Sequence, residues 1–142
     1  MEKLRVLFAD DNTEVLETVS RLVDGEFDKV AAVSDGESAV EAVCSLDPDL
    51  AVLDISMPIL DGLKAAARLQ EMGTRAKVLF LTVHHDPEYL DAAFSAGARG
   101  YVLKPRLGTD LLLALQEVSL GRTFVAPPLN VPECPEVLRA CR

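Results

Sequence analysis

No window of this chain approaches the roughly 20 uninterrupted apolar residues that a membrane-spanning helix needs. The opening Met1-Glu2-Lys3-Leu4-Arg5 runs directly into an apolar strand pattern, without the charged and apolar regions of a secretory leader. The expectation is a soluble, cytoplasmic protein with no membrane contact. Positive charge is also short, because 14 Lys and Arg stand against 23 Asp and Glu, a net charge of -9. A field of that sign repels phosphate backbones and anionic lipid, so direct nucleic-acid binding is not expected and partners should be proteins, cations or small molecules. Cysteine is sparse and odd in number: Cys44, Cys134 and Cys141 have no metal-type spacing, which implies free thiols, with Cys44 packed within a helical pattern. His84 and His85 are the whole histidine complement, too little for a zinc site. A Gly-x-x-x-x-Gly-Lys-Ser/Thr loop is absent, and no phosphate loop for a flavin is recognisable. A length of 142 residues suits one domain with a core, followed by a tail.

What is present is a regular alternation. Val6 to Ala9 is a short apolar run ending in Asp10-Asp11-Asn12, and Val15, Leu16, Val19, Leu22 and Val23 follow at helical spacing. Asp11 and Glu14 have capping-box spacing, and Gly25 closes the helix. Lys29 to Val33 reads as a second strand, Asp35 opens a second helix, and Asp47-Pro48 stops it. Leu50 to Leu53 is a third strand that ends on Asp54 and leads through Met57-Pro58 to a helix starting near Gly62. Val78 to Leu81 is the fourth strand, ending in Thr82, with a helix after Asp86-Pro87. Tyr101 to Leu103 is the fifth, ending in Lys104-Pro105, and Thr109 opens the last helix, closed by Gly121. Every glycine falls at an element boundary in this parse. Five strands alternating with five helices predict an α/β fold: a doubly wound, five-stranded parallel sheet of order 2-1-3-4-5, with the more polar second and the shorter fifth strands at its edges.

In such a sheet ligands sit beyond the carboxyl ends of the strands, where the winding reverses. Asp10, Asp11, Asp54, Thr82 and Lys104 all lie at those ends. Each has a plainer reading: Asp10, Asp11 and Asn12 as helix caps, Thr82 as a strand-end threonine, Lys104 as a solvated cation. Asp54 is poorly explained as a cap, since its helix begins several residues later. Taken together, the acid pair, central acid, hydroxyl and lysine point to one crevice. Three crowded carboxylates need a proton or a cation, and Mg²⁺, or Mn²⁺ in its place, suits oxygen ligands. A carboxylate between a metal and an ammonium is placed to accept a phosphoryl group, with Asp54 as nucleophile.

At this point the chain resembles the receiver domain of two-component response regulators. The matching pieces are Phe8-Ala9-Asp10-Asp11, Leu53-Asp54-Ile55-Ser56-Met57-Pro58 with Asp61-Gly62, Phe80-Leu81-Thr82 and Gly97 to Pro105. The likeness covers roughly residues 3 to 124. It implies the flavodoxin-like receiver fold, a phosphoacceptor at Asp54, and Mg²⁺ on Asp10, Asp11, Asp54 and the backbone carbonyl of Ser56. It further implies phosphoryl contacts from Thr82 and Lys104, a sensor histidine kinase as donor, and a cis Lys104-Pro105 bond. By the same resemblance Thr82 moves toward the phosphoryl group while Tyr101 turns inward, and Ser56 and His84 tune how fast that group is lost. The switched surface is that of the fourth helix, fifth strand and fifth helix, through which a homodimer would form, with Leu113 exposed beside it. The subfamily resembled usually carries a C-terminal helix-turn-helix DNA-binding domain, so the implied output is transcription and DNA is reached only through such a domain.

Residues 1-125 are expected to form the receiver and 126-142 a proline-rich tail or linker, because Pro127, Pro128, Pro132 and Pro135 argue against a helix before about Glu136. Two rival functions stay open here. One is a phosphorylation-independent interaction domain, against which the intact acids, Thr82 and Lys104 argue. The other is a small Mg²⁺-dependent phosphohydrolase, weakened because Ser56, not an acid, stands two residues after Asp54. Enzymatic character beyond self-phosphorylation and self-dephosphorylation is not required.

Overall fold

A computed structural model describes residues 3-125. The order of elements is β1 (Arg5–Ala9), α1 (Thr13–Val23), β2 (Asp28–Val33), α2 (Gly36–Leu46), β3 (Leu50–Leu53), α3 (Gly62–Glu71), β4 (Lys77–Thr82), α4 (Pro87–Ser95), β5 (Gly100–Leu103), a 3₁₀ turn (Lys104–Arg106), α5 (Leu107–Ser119) and β6 (Phe124–Val125). The sheet runs β2-β1-β3-β4-β5-β6, with every pairing parallel. The five expected strands hold their expected order. A sixth was not anticipated: after α5 the chain turns back and lays Phe124 and Val125 along β5, so β5 is not an edge.

Strand alternation builds two cores, one on each face of the sheet. Leu7, Ala9, Ala51, Leu53, Val78, Phe80, Tyr101 and Leu103 point toward α2, α3 and α4. Val6, Phe8, Leu50, Val52, Leu79, Leu81 and Val102 point toward α1 and α5. β1, β3 and β4 therefore bury both faces, which is why they read as unbroken apolar runs. A fully buried leucine in such a layer contributes about 1.5 to 3 kcal/mol, so the sheet is a rigid base for whatever extends beyond its strands.

Several boundaries differ from expectation. The cap of α1 is Asn12, whose side chain accepts from the amides of Glu14 and Val15, and not an Asp11–Glu14 box, because Asn12 directly precedes the first helical residue Thr13. Helix α5 starts at Leu107, two residues before Thr109, because the Leu107 N–H bonds back to the Lys104 carbonyl and carries the 3₁₀ turn directly into the helix. Gly108 consequently lies inside the first turn of α5. The Lys104-Pro105 bond is trans, and no cis peptide occurs among the described residues; the proline occupies the start of the 3₁₀ turn, where its fixed φ fits. Cys44 is exposed, not packed, because Val40 and Val43 take the inward face of α2. Cys134, Cys141 and the expected tail helix lie outside the described residues.

At the opposite end of the sheet from the crevice, Asp49 ties three segments together. Its Oδ2 accepts the Arg5 N–H at 2.8 Å and its Oδ1 accepts from Arg75 at 3.0 Å. The Arg5 amide is the strongest influence and, with Arg75, holds the carboxyl below the ordinary carboxylate range despite burial. A lowered folded pKa means stabilisation present above the unfolded value, about 3.9, and lost as pH falls through the folded one. Asp49→Asn is expected to cost about 1 kcal/mol at neutral pH, with the gap to wild type closing in urea melts run below about pH 4.

Candidate functional site

Alternation that puts Val52 on the α1/α5 side puts Asp54, two residues on, toward the same side, and does likewise for Asp10 after Phe8 and Lys104 after Val102. Thr82 keeps the parity of Phe80, on the side of Tyr101. The observed contacts follow that division. Lys104 Nζ lies 2.9 Å from Asp54 Oδ2, to which it donates, and 2.8 Å from Asp10 Oδ2. Thr82 is fully buried, and its hydroxyl oxygen accepts the His84 N–H at 3.3 Å.

Asp10 and Asp54 are 3% and 5% exposed, depths at which carboxylates survive only with partners. Asp11 is exposed at the mouth, yet one carboxylate oxygen from each of the three acids falls within 4.8 Å of the others. Asp10 Oδ1 accepts the Asn12 N–H at 2.8 Å. Its Oδ2 has the Lys104 ion pair but no hydrogen bond, and is the one buried side-chain polar atom so left among the described residues. Burial dominates at Asp10 and, with repulsion from Asp54, keeps its carboxyl above the ordinary range in spite of Lys104 and Asn12. At Lys104 burial is likewise the largest influence, opposing the charge, but attraction from Asp10 and Asp54 together outweighs it and raises the ammonium's pKa. The site therefore has three acids and one cation, which is paired to two of them. That donor set, hard oxygens short of positive charge, fits a small divalent ion.

Two glycines hold the β3–α3 loop against this cluster. A Cβ on Gly62 would run into the Asp54 carbonyl oxygen, and one on Gly36 into the Leu60 carbonyl. The Gly62 N–H in turn donates to Ile55 at 2.7 Å. Gly62→Ala should cost about 3 kcal/mol, since the obstacle is backbone and cannot swing away. Gly108→Ala, in open space on a helix, should stabilise by about 0.5 to 1 kcal/mol. Thermal melts of the pair should move in opposite directions.

On the other side of the crevice His84 is a junction. Its Nε2 shares a 2.8 Å hydrogen bond with Ser56 Oγ, its ring stacks on Tyr89 at 4.1 Å, and its carbonyl accepts from Tyr101 Oη at 2.8 Å. Tyr101 is already inward and fully buried, where the resemblance implied an inward turn only on switching. Burial first, then nearby acidic groups, pushes its phenol above the ordinary value, so it stays a donor. Asp11, Ser56, Met57, Pro58, Asp61 and Tyr89 line an open groove of about 530 Å³ leading to the acids. Tyr89 was not singled out from sequence. Tyr89 carries no signal until its helix is placed against His84, whereas Asn12 was among the cap candidates and is the cap.

The response regulator receiver domain model matches residues 6–116. The chain is 34% identical over 129 residues to the transcriptional regulatory protein YvfU of Bacillus subtilis, covering 89% of this chain and 64% of that one. It is 41% identical over 132 residues to the positive alginate biosynthesis regulatory protein of Pseudomonas aeruginosa, covering 91% and 52%. It thus spans between half and two thirds of these relatives. Among solved structures, the signal receiver domain of NarL from Mycobacterium tuberculosis superposes with a TM-score of 0.82 at 32% identity, covering 86% of this chain and 100% of that one. A LuxR-family two-component response regulator from Aurantimonas gives 0.87 at 27% identity, covering 96% and 99%. Among the described residues no helix is long and apolar enough to cross a membrane. With an acid cluster, a half-buried lysine and a buried threonine gathered at the carboxyl ends of a parallel sheet, this chain belongs to the receiver domains of two-component response regulators.

Proposed function

We propose that Asp54 accepts a phosphoryl group from the phosphohistidine of a cytoplasmic sensor histidine kinase, and that the resulting change in the α4–β5–α5 face regulates transcription. The receiver unit is taken as residues 1–125. The observation that carries this reading is the ion triad in which Lys104 reaches both Asp10 and Asp54, with Asp11 close enough to share an ion with them.

The Asp54 carboxylate, held between Asp10 and Lys104, is the nucleophile and needs no general base. Its oxygen forms the new bond to phosphorus as the bond from phosphorus to the donor nitrogen breaks, and the electron pair leaves with the imidazole. Asp10, Asp11, Asp54 and the Ser56 carbonyl would hold Mg²⁺, or Mn²⁺ in its place, which supplies neutralisation of the phosphoryl oxygens. Lys104, fixed by its ion pairs with Asp10 and Asp54, supplies positive charge of its own. Thr82 donates its hydroxyl to a phosphoryl oxygen after releasing the His84 amide. The Ser56–His84 bond spans the crevice and limits the approach of water to the acyl phosphate.

The test is incubation with acetyl phosphate, with Mg²⁺ or with chelator, followed by peptide mapping. Ion-dependent label on the Asp54 peptide supports the reading. Label elsewhere, or none with the ion present, overturns it, and steady turnover of a phosphate ester would return the phosphohydrolase.

A further inference from the structure

The sixth strand sits against the residue assigned to switching. Its approach is built: Gly121, at φ +88, lets the Arg122 N–H reach the Glu117 carbonyl at 3.0 Å while its own N–H reaches Val118 at 3.0 Å, the paired bonds of a Schellman turn. Arg122 also pairs with Glu117 at 3.1 Å. The turn aims the chain at β5, where the Phe124 N–H donates to the Arg99 carbonyl at 3.1 Å and the register sets Phe124 beside Gly100 and Val125 beside Tyr101. Phe124 packs into the core under α5, and Val125 into the core that contains Tyr101, Leu90 and Ala93. The strand thus straddles the sheet edge with one side chain in each core.

From this we infer that the β5 edge is a docking surface for the chain's own segment Phe124–Val125, and that docking is coupled to the inward position of Tyr101. In a parallel ladder, paired residues put their side chains on the same face, so Val125 stands next to the Tyr101 ring. The proposed coupling is that a ring swung outward past β5 takes the space along the sheet edge that Val125 holds. With the ring inward and its hydroxyl on His84, that position is free for Val125. On this inference the two arrangements exclude one another, which is the differential contact a switch requires. A two-residue strand is weakly held, as an element that must come and go has to be. The inference rests on the reading of Asp54 and Tyr101 above, and adds that the point where the chain leaves the sheet is gated by phosphorylation. It also means that a second copy pairing through the α4–β5–α5 face meets β6 along the β5 edge.

Hydrogen–deuterium exchange on the full chain tests this, with and without acetyl phosphate and Mg²⁺. Peptides covering 100–103 and 124–125 should exchange about fivefold or more slowly in the phosphorylated form. Because coupling is reciprocal, Val125→Asp, and the milder Val125→Gly, should reduce the phosphorylated fraction reached at limiting acetyl phosphate by a similar factor, while Val125→Ile behaves as wild type. Wild type that takes up label with no change at 124–125, or Val125→Gly that loads like wild type, overturns the coupling and leaves the Asp54 reading intact. Wild type that takes up no label overturns both.

Discussion

Asp54→Asn is expected to lose phosphoryl uptake from acetyl phosphate by at least about a hundredfold, because the amide is not a nucleophile and no second acid can replace it. Asp10 is too deeply held to serve: its two oxygens are committed to the Asn12 amide and to Lys104. Asp11 is exposed and uncommitted enough to be a ligand, yet lies at the mouth. Asp11→Asn should therefore still be labelled on Asp54, about tenfold more slowly at low Mg²⁺ and approaching wild type as the ion is raised. Asp54→Asn should not be rescued at any concentration. Intact-mass spectrometry over a magnesium titration separates the two, and label on Asp54→Asn at high ion would move the acceptor to another residue. The amide also removes one of two buried negative charges beside Lys104. The folded variant should accordingly be no less stable than wild type by more than about 1 kcal/mol, so loss of label cannot be assigned to unfolding.

Much of this was legible before any coordinates, for a physical reason. Buried parallel strands must be apolar on both faces, and the first polar residue beyond each marks its end, so Asp10, Asp54, Thr82 and Lys104 announced both the strand ends and the crevice. What was not legible depends on contacts between distant segments. β6 has two residues and no periodicity to detect, and exists only because a Schellman turn points it at β5. The Ser56–His84–Tyr89 arrangement joins two loops and a helix whose meeting sequence spacing does not show. Gly36 and Gly62 were assigned as helix starts, which they are. That both are also close-packed against carbonyls of the β3–α3 loop follows only from the approach of that loop to Asp54 and α2. The carboxylates were likewise visible as strand ends, whereas the sharing of one lysine between Asp10 and Asp54 depends on side-chain positions.

Lys104→Met should make folding stability depend on the divalent ion. The lysine side chain is 14% exposed and those of Asp10 and Asp54 are 4% and 6%, so the three charges sit largely out of water. Removing the cation while keeping similar bulk leaves two carboxylates facing each other, and breaking a buried pair from one side costs about 3 to 5 kcal/mol. Partial exposure of the cluster at Asp11 lets solvent screen some of this, so about 2 to 3 kcal/mol is expected in chelator, a fall in Tm on the order of 10 °C. An ion bound by the acids would replace the missing charge. Mg²⁺ binds the folded form in proportion to its affinity there, and the variant, with no ammonium competing for the same oxygens, should bind it more tightly than wild type. Millimolar Mg²⁺ should therefore raise the Tm of Lys104→Met by more than it raises that of wild type and recover most of the loss. Its phosphoryl uptake should stay low, since the ion is needed in wild type as well and Met supplies no ammonium to the phosphoryl oxygens. Equal melting of variant and wild type in chelator, or equal magnesium shifts, would show that the acids do not depend on Lys104 for their charge balance and would remove the basis for placing the ion among them.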